Sequence, residues 1–406
     1  MKYVIVLGDG MADERYERLG GKSPLEAARK PVADYFAAHG EVGLCQSVPP
    51  GMKPGSDVAN LSVMGYDPHT CYSGRSPLEA VSMGVELRPE DVTYRCNLVT
   101  LSGEERFEDR IMKDYSAGEI TTDEARELIA YLSENLNLSE NLSLFAGVSY
   151  RHCLRLRGAK AGATKTTPPH DISDRKIKEY LPEGALGETL LGIMKRSSEL
   201  LRNHPVNLAR IRAGKNPATS CWFWGEGTKP ALPNFFEKTG LSGAVISAVD
   251  LVKGIGLLAG MESVDVPGAT GNIHTNFEGK AAAAIDALAR GKDFVYIHLE
   301  APDECGHQGQ LEEKVRAIEL IDEKVTRPVF EYLKASGEPF AVMFVPDHPT
   351  PVRLKTHTGD AVPFVIYRSD REIEGKVPYS EAGARASGVF VEKGYELLNR
   401  LLNGKA

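Results

Sequence analysis

At 406 residues, the chain has room for two domains, or for one large domain carrying an insertion. A hydrophobic content of 42% and a charged content of 26% belong to an ordinary soluble globular protein. The net charge of -8 argues against a general nucleic-acid or anionic-membrane binder, so any anionic substrate must be met by a local basic pocket or by metal ions.

The chain opens on Tyr3-Val4-Ile5-Val6-Leu7, an unbroken apolar run ending at Gly8-Asp9-Gly10. Such a run fits a strand buried on both faces of a parallel sheet. The start "MKYVIVLGDG" is too short and too soon acidic for a signal peptide, and no run approaches a membrane span. Two copies of "SPLEA" follow, at 23–27 and 76–80. Each predicts a helix start with Ser as N-cap, Pro at the first position and Glu in the first turn. Between them lies the Gly/Pro-rich loop "PPGMKPGSDVANLSVMGYDP", in which Ser56 precedes an apolar helical pattern. Its hydroxyl can serve as an N-cap, or it can face a metal and act as a nucleophile; the residue types leave both open.

After about Arg75 the character changes. "EITTDEARELIAYLSENL" predicts an amphipathic helix, "GVSYRHCLRLRG" a strand, and "GAKAGATKTTPPHDI" a long loop. The last of these approximates a P-loop, but two residues separate Gly162 from Lys165. The expected division is a discontinuous first domain over 1–75 and 215–406, with an inserted second domain over 76–214. The first sheet should resume near "ATSCWFWGEG" or "GAVISAVDL".

The final third alternates strands and helices, which indicates a mainly parallel α/β sheet flanked by helices. "DFVYIHLEAPD" predicts a strand. A helix from Gln310 follows, with Leu311, Val315, Ile318, Ile321 and Val325 on one face, and Pro328 should kink or end it. Then come "FAVMFVPDH" and "AVPFVIYR". Three apolar runs thus end alike, at Asp9, Asp303 and Asp347. Ligands of open parallel sheets bind at the carboxyl ends of strands, so these carboxylates should converge, with His307, His348 and His357 beside them. Asp and His together suit Mn²⁺, Mg²⁺ or Zn²⁺, and this many ligands suit two ions in a two-metal phosphoryl-transfer site. His39, His69, His204, His274 and His298 have no such setting and read as structural. Six cysteines without a C-x-x-C pair read as reduced thiols in a cytoplasmic protein.

The strings "GDGMAD", "PGSDVANLSVMGYDP", "GRSPLEA", "SYRHCLRLRG", "AVDLVKGIGLLAG", "LEAPDECGHQG", "PDHPTP" and "HTGDAVPF" together resemble the archaeal-type 2,3-bisphosphoglycerate-independent phosphoglycerate mutase family. That family lies within the alkaline phosphatase superfamily, and the resemblance covers nearly the whole chain. It implies an alkaline-phosphatase-like domain carrying a smaller α+β cap, and two divalent ions (Mn, Mg, Co or Zn) without 2,3-bisphosphoglycerate. One ion would use Asp303, His307 and His357. The other would use Asp9, Asp347, His348 and Ser56, which would also be the nucleophile. Lys253 and Arg75 would meet phosphate; Arg151, His152, His170 and Asp171 would meet the glycerate. The implied activity interconverts 3-phosphoglycerate and 2-phosphoglycerate through a phosphoserine in glycolysis and gluconeogenesis. The alternative is a homoserine kinase-like phosphotransferase, or a phosphatase of a small phosphorylated acid. The expected partner is the phosphorylated substrate, with neither nucleic acid nor membrane, and a homo-oligomer is left open.

Overall fold

The computed structural model describes residues 1–162 and 164–404; Ala163, within the loop that approximates a P-loop, lies outside them. Two compact units emerge: Met1–Tyr72 with Leu232–Ala406, and Ser73–Ala231.

The first unit is built on an eight-stranded sheet. In spatial order its strands are Glu262–Val264, Gly243–Ile246, Phe294–Leu299, Lys2–Gly8, Phe340–Val345, Val362–Arg368, Glu41–Cys45 and Phe390–Val391. Only Val362–Arg368 runs antiparallel to its neighbours. The unalternating apolar sequences are explained by burial: every residue of Phe294–Leu299 and Phe340–Val345 is buried, as are Val4 to Gly8. The three strands that end in aspartate are adjacent, with Lys2–Gly8 in the middle. Leu7 is level with His298 on one side and Val345 on the other, so the three chain segments leave the sheet at one edge.

Four local readings are decided in three dimensions. Ser23 caps its helix in a capping box with Glu26, as its sequence predicts. Ser76 does not: Arg75 is the cap residue, and the Ser76 hydroxyl is turned to the Thr93 carbonyl at 2.9 Å. Ser56 is likewise not a cap, because Gly55 holds that position and Ser56 begins the helix Ser56–Val63. Pro328 neither ends nor breaks its helix. A π-helical turn over Asp322–Thr326 lies between Leu311–Ile321 and Arg327–Ser336, so Pro328 falls in the first turn of the last segment, where its missing N–H is tolerated.

The second unit holds an antiparallel sheet centred on Val92–Leu101. One edge of that strand pairs with Arg151–Leu156 and Met112–Asp114, the other with Ser220–Thr228, and Leu142–Phe145 lies outside Arg151–Leu156. One face packs on the helices Thr122–Asn135 and Gly187–Leu201 through Tyr94, Cys96, Leu98, Leu128, Met194 and Trp222. The strand in "ATSCWFWGEG" therefore belongs here. The expected boundary at 214/215 is too early, and the first sheet resumes at Gly243–Ile246. A run containing Trp222, Phe223 and Trp224 suits either sheet, and only pairing decides between them.

Candidate metal centre and a second, basic cluster

Asp9 follows its strand directly, with its backbone N–H on Leu299 O at 2.9 Å. Asp347 accepts Gly10 N–H at 3.0 Å and His348 N–H at 2.8 Å on Oδ1, while Oδ2 accepts the Asn60 side-chain amide at 2.8 Å. Gly10 sits where the three segments meet, at φ 62°, and a Cβ there would lie 2.6 Å from Asp303 Oδ1. No other residue fits that point. Asp303 stands in the first turn of the helix Ala301–Gln308, and His307 follows one turn later on the same face. His307 Nε2 lies 3.3 Å from Asp303 Oδ2, His357 Nε2 lies 3.4 Å from Asp303 Oδ1, and the two Nε2 atoms are 2.9 Å apart. Ser56 Oγ is 3.1 Å from His348 Nε2, which is 3.4 Å from Asp9 Oδ1 and 3.5 Å from Asp347 Oδ2. The six predicted Asp and His residues and Ser56 thus form one constellation.

Its electrostatics call for cations. Burial, then the charges of Asp347, Asp303 and Glu300, push the Asp9 carboxyl well above the usual carboxylate range. Its Oδ1 is buried with no hydrogen-bond partner, which in a native fold wants a cation. Burial would also raise Asp303, but hydrogen bonds from His307 and His357 outweigh it and hold that carboxyl well below its ordinary value. His307 is pushed up to about 9, chiefly by its bond to Asp303. Its Nδ1 donates to Lys355 O at 3.0 Å, so the proton a cation would displace is on Nε2. His348 is held below its usual value by burial and is neutral, with Nδ1 on Thr350 Oγ1 at 3.2 Å. Ligating atoms of Asp303, His348 and His357 lie within 4.8 Å of one another, as do those of Asp9, His298 and Asp347, and those of Asp9, Glu300 and Asp303. The residues fit divalent ions.

Several members escaped the sequence reading. His298, read as structural, sits 3.0 Å from Asp9 Oδ2. Asn60 joins Ser56 O, at 2.8 Å, to Asp347, and Tyr296 donates to Asn60 Oδ1 at 2.7 Å. Thr350 donates to Asp303, and its carbonyl accepts the fully buried Lys314 at 2.8 Å. Lys280, also buried, donates to His298 O at 3.0 Å and is lowered to about 8, burial being the main cause. Lys253, expected to meet phosphate, is ion-paired with Asp265 at 2.6 Å on the helix Asp250–Leu258.

The remaining predicted residues lie in the second unit. Buried Glu79 pairs with Arg95 and with Arg75, each at 2.7 Å, and also feels Arg151. Burial would raise Glu79, but the arginines outweigh it and hold the carboxyl low. Three guanidiniums around one carboxylate leave a net positive patch. Arg95 lies 4.0 Å above the Trp224 ring, and Trp224 has the His170 ring at its edge, 5.3 Å away. His170 lies 3.5 Å from Asp171. Arg95, Glu79 and Trp224 were not anticipated; a charged residue flanked by apolar strand residues was the available signal. His152 is a correction. Strand alternation puts Arg151 on the Arg95 face and turns His152 inward, level with Cys96. It is 2% exposed, its Nδ1 accepts Gly147 N–H at 3.1 Å, and burial lowers it to about 3.

A family profile for 2,3-bisphosphoglycerate-independent phosphoglycerate mutase matches residues 37–207. The chain is 48% identical over 406 residues to the 2,3-bisphosphoglycerate-independent phosphoglycerate mutase of Methanosarcina barkeri, covering 100% of both chains. It is 50% identical over 404 residues to a probable enzyme of the same name from Geobacter sulfurreducens, covering 99% of this chain and 100% of that one. Among solved structures, a protein from Pyrococcus horikoshii aligns with a TM-score of 0.82 at 27% identity, covering 100% of this chain and 98% of that one. The cofactor-independent phosphoglycerate mutase of Thermoplasma acidophilum aligns at 0.66 and 25% identity, covering 99% of each.

Proposed function

The chain belongs to the 2,3-bisphosphoglycerate-independent phosphoglycerate mutase family, and from that premise we propose that it is an isomerase interconverting 3-phosphoglycerate and 2-phosphoglycerate. The observation that carries the reading is Ser56. It is excused from capping by Gly55, and its hydroxyl faces the His348 imidazole of the strand-end cluster. A serine needed only for helix stability would spend its hydroxyl on a backbone N–H.

Asp303, His307 and His357 would hold one divalent ion; Asp9, Asp347, His348 and Ser56 would hold the other. Mn²⁺, Mg²⁺, Co²⁺ or Zn²⁺ bound there would neutralise the carboxylates and stabilise charge on the transferred group. Ser56 gives up its hydroxyl proton, its oxygen forms a bond to phosphorus, and the bond from phosphorus to the substrate's ester oxygen breaks. The released hydroxyl of glycerate collects a proton. The neighbouring glycerate hydroxyl then attacks the phosphoserine, loses its own proton, and Ser56 recovers one, so the reaction is balanced without an external donor. Lys253 and Arg75 are assigned to phosphate, and Arg151, with His170 and Asp171, to the glycerate. The Ser73–Ala231 unit acts as a cap that retains glycerate and excludes water while the phosphoserine exists. The buried Nε of Arg151, without a hydrogen-bond partner, supports an anion beside it.

We place the enzyme in the cytoplasm. Six free and buried cysteines support that, and among the described residues no helix is long and apolar enough to cross a membrane. The test is a coupled assay of purified protein with Mn²⁺, run on 3-phosphoglycerate and separately on homoserine with ATP. Turnover of the first and none of the second is expected; the reverse would replace the reading.

A further inference from the structure

Four imidazoles crowd the strand-end cluster, and the hydrogen bonds of three of them fall into two kinds. His307 spends its Nδ1 proton on the Lys355 carbonyl at 3.0 Å, which leaves Nε2 as its metal-facing atom. His348 is similar. The Thr350 hydroxyl gives its proton to Asp303, so its oxygen accepts from His348 Nδ1 at 3.2 Å and Nε2 is left bare.

His298 is arranged the other way round. Its Nε2 lies 3.0 Å from Asp9 Oδ2, and the Ser247 hydroxyl, whose oxygen already accepts Val249 N–H, has its own proton to give to Nδ1, so Nε2 carries the ring hydrogen. A fully buried neutral imidazole has only one N–H, so Nδ1 accepts. Its partner is the Ser247 hydroxyl at 3.2 Å, whose oxygen in turn accepts Val249 N–H at 3.0 Å. The backbone is pinned as well, since Lys280 donates to His298 O at 3.0 Å. Asp9 is thereby divided: Oδ2 is held by His298, while Oδ1 is buried and has no hydrogen-bond partner.

We propose that Ser247 and His298 form a hydrogen-bond relay that locks Asp9 Oδ2 and so aims Asp9 Oδ1 at the cation, making His298 a positioning residue and not a ligand. The inference rests on the metal-centre reading above. It competes with direct ligation by His298, which the proximity of its ring nitrogen to Asp9 and Asp347 would allow sterically. Sequence spacing cannot separate the two, but the direction of one proton can.

Two measurements decide it. In chelator-treated full-length protein, ¹⁵N NMR of histidine should show His298 with a protonated Nε2 and a bare Nδ1; the opposite tautomer would overturn the relay whether or not metal ever binds. Mn²⁺ titration then compares wild type with His298→Leu, His298→Gln and Ser247→Ala. Removing the donor in His298→Leu should weaken one of two ions by about 10- to 100-fold, as loss of a partner behind a ligand does, and leave the other near wild type. Glutamine places an amide N–H near the Nε2 position and should recover most of that loss, with Ser247→Ala intermediate. Electron spin-echo spectroscopy of bound Mn²⁺ should count the same coupled nitrogens in wild type and His298→Gln. One nitrogen fewer would make His298 a ligand and overturn the proposal, as would a Gln variant no better than Leu. Should His298→Leu fail to fold, the Gln and Ser247 variants carry the comparison. Wild type that binds no Mn²⁺ would sink the metal-centre reading separately, and the tautomer would still judge the hydrogen bonds.

Discussion

The two units concentrate opposite charge by opposite backbone devices. In the first, adjacent parallel strands end together, so Asp9, Asp303 and Asp347 meet at one edge although up to 338 positions separate them (347 − 9). Negative charge accumulates at an end. In the second, period-two alternation lifts Arg95 and Arg151 onto one face of an antiparallel sheet, where the helix Ser76–Ser82 adds Glu79. Positive charge accumulates on a face. The strand-end cluster gathers residues that could hold cations, whereas the sheet-face cluster is partly neutralised from within. The proposed function assigns a metal-dependent step to the first and recognition of an anion to the second.

The sharpest way to break this division is Ser56→Ala. Turnover should fall by several orders of magnitude, on the order of the 10⁶ seen when a protease loses its nucleophile. Metal binding at Asp303, His307 and His357 should persist, because those ligands do not use the hydroxyl. Mass spectrometry after a substrate pulse should find phosphate on the wild-type Ser56 peptide. A Ser56→Ala protein that isomerises at near-normal rate would remove the first unit's claim to the chemistry.

The second unit is best probed through its one carboxylate. Glu79→Ala strands Arg95 in a buried site, and breaking a buried pair from one side costs about 3–5 kcal/mol. Urea unfolding should register that loss, while the Mn²⁺ affinity of the first unit should not move. A coupled loss of both would show the clusters to be one thing and not two.

pH should act on the strand-end cluster through His307. The folded-state value of His307, about 9, stands above its ordinary 6.5. In metal-free protein its bond to Asp303 therefore stabilises fully below pH 6.5, and that contribution is lost as pH rises through about 9. A divalent ion must displace the same proton, so its affinity should increase over this window, by at most about tenfold per pH unit for one proton. Calorimetry across that range checks the sign; affinity that falls with pH would exclude His307 as a ligand. Chelation should abolish turnover yet leave the far-UV circular dichroism intact, because a large apolar core underlies the site.

The mildest test compares the two "SPLEA" segments. Ser23→Ala should cost about 1 kcal/mol through its lost capping box. Ser76→Ala should leave the helix start unweakened and act instead on the strand Val92–Leu101, through the bond to Thr93. Hydrogen exchange distinguishes the two: Ser23→Ala should loosen its own first turn, and Ser76→Ala should loosen Thr93.

The amino-acid sequence by itself determined the fold class, the helix over Thr122–Asn135, the parallel strands and the strand-end carboxylates, because these follow from local periodicity and from the rule that such strands end together. It also pointed to His307, one helical turn after Asp303. Tertiary structure alone decided which strand belongs to which sheet, whether a serine caps its helix or faces the strand-end cluster, and which imidazoles that cluster gathers. His298 is separated from Asp9 by 289 positions and from Ser247 by 51, and sits in a strand of apolar neighbours. Arg95 acquires its role from Glu79, Trp224 and the turn of one strand face. Hydrogen-bond direction and charge pairing are set by partners brought close through sheet register, and one residue's slip in register exchanges every partner at once.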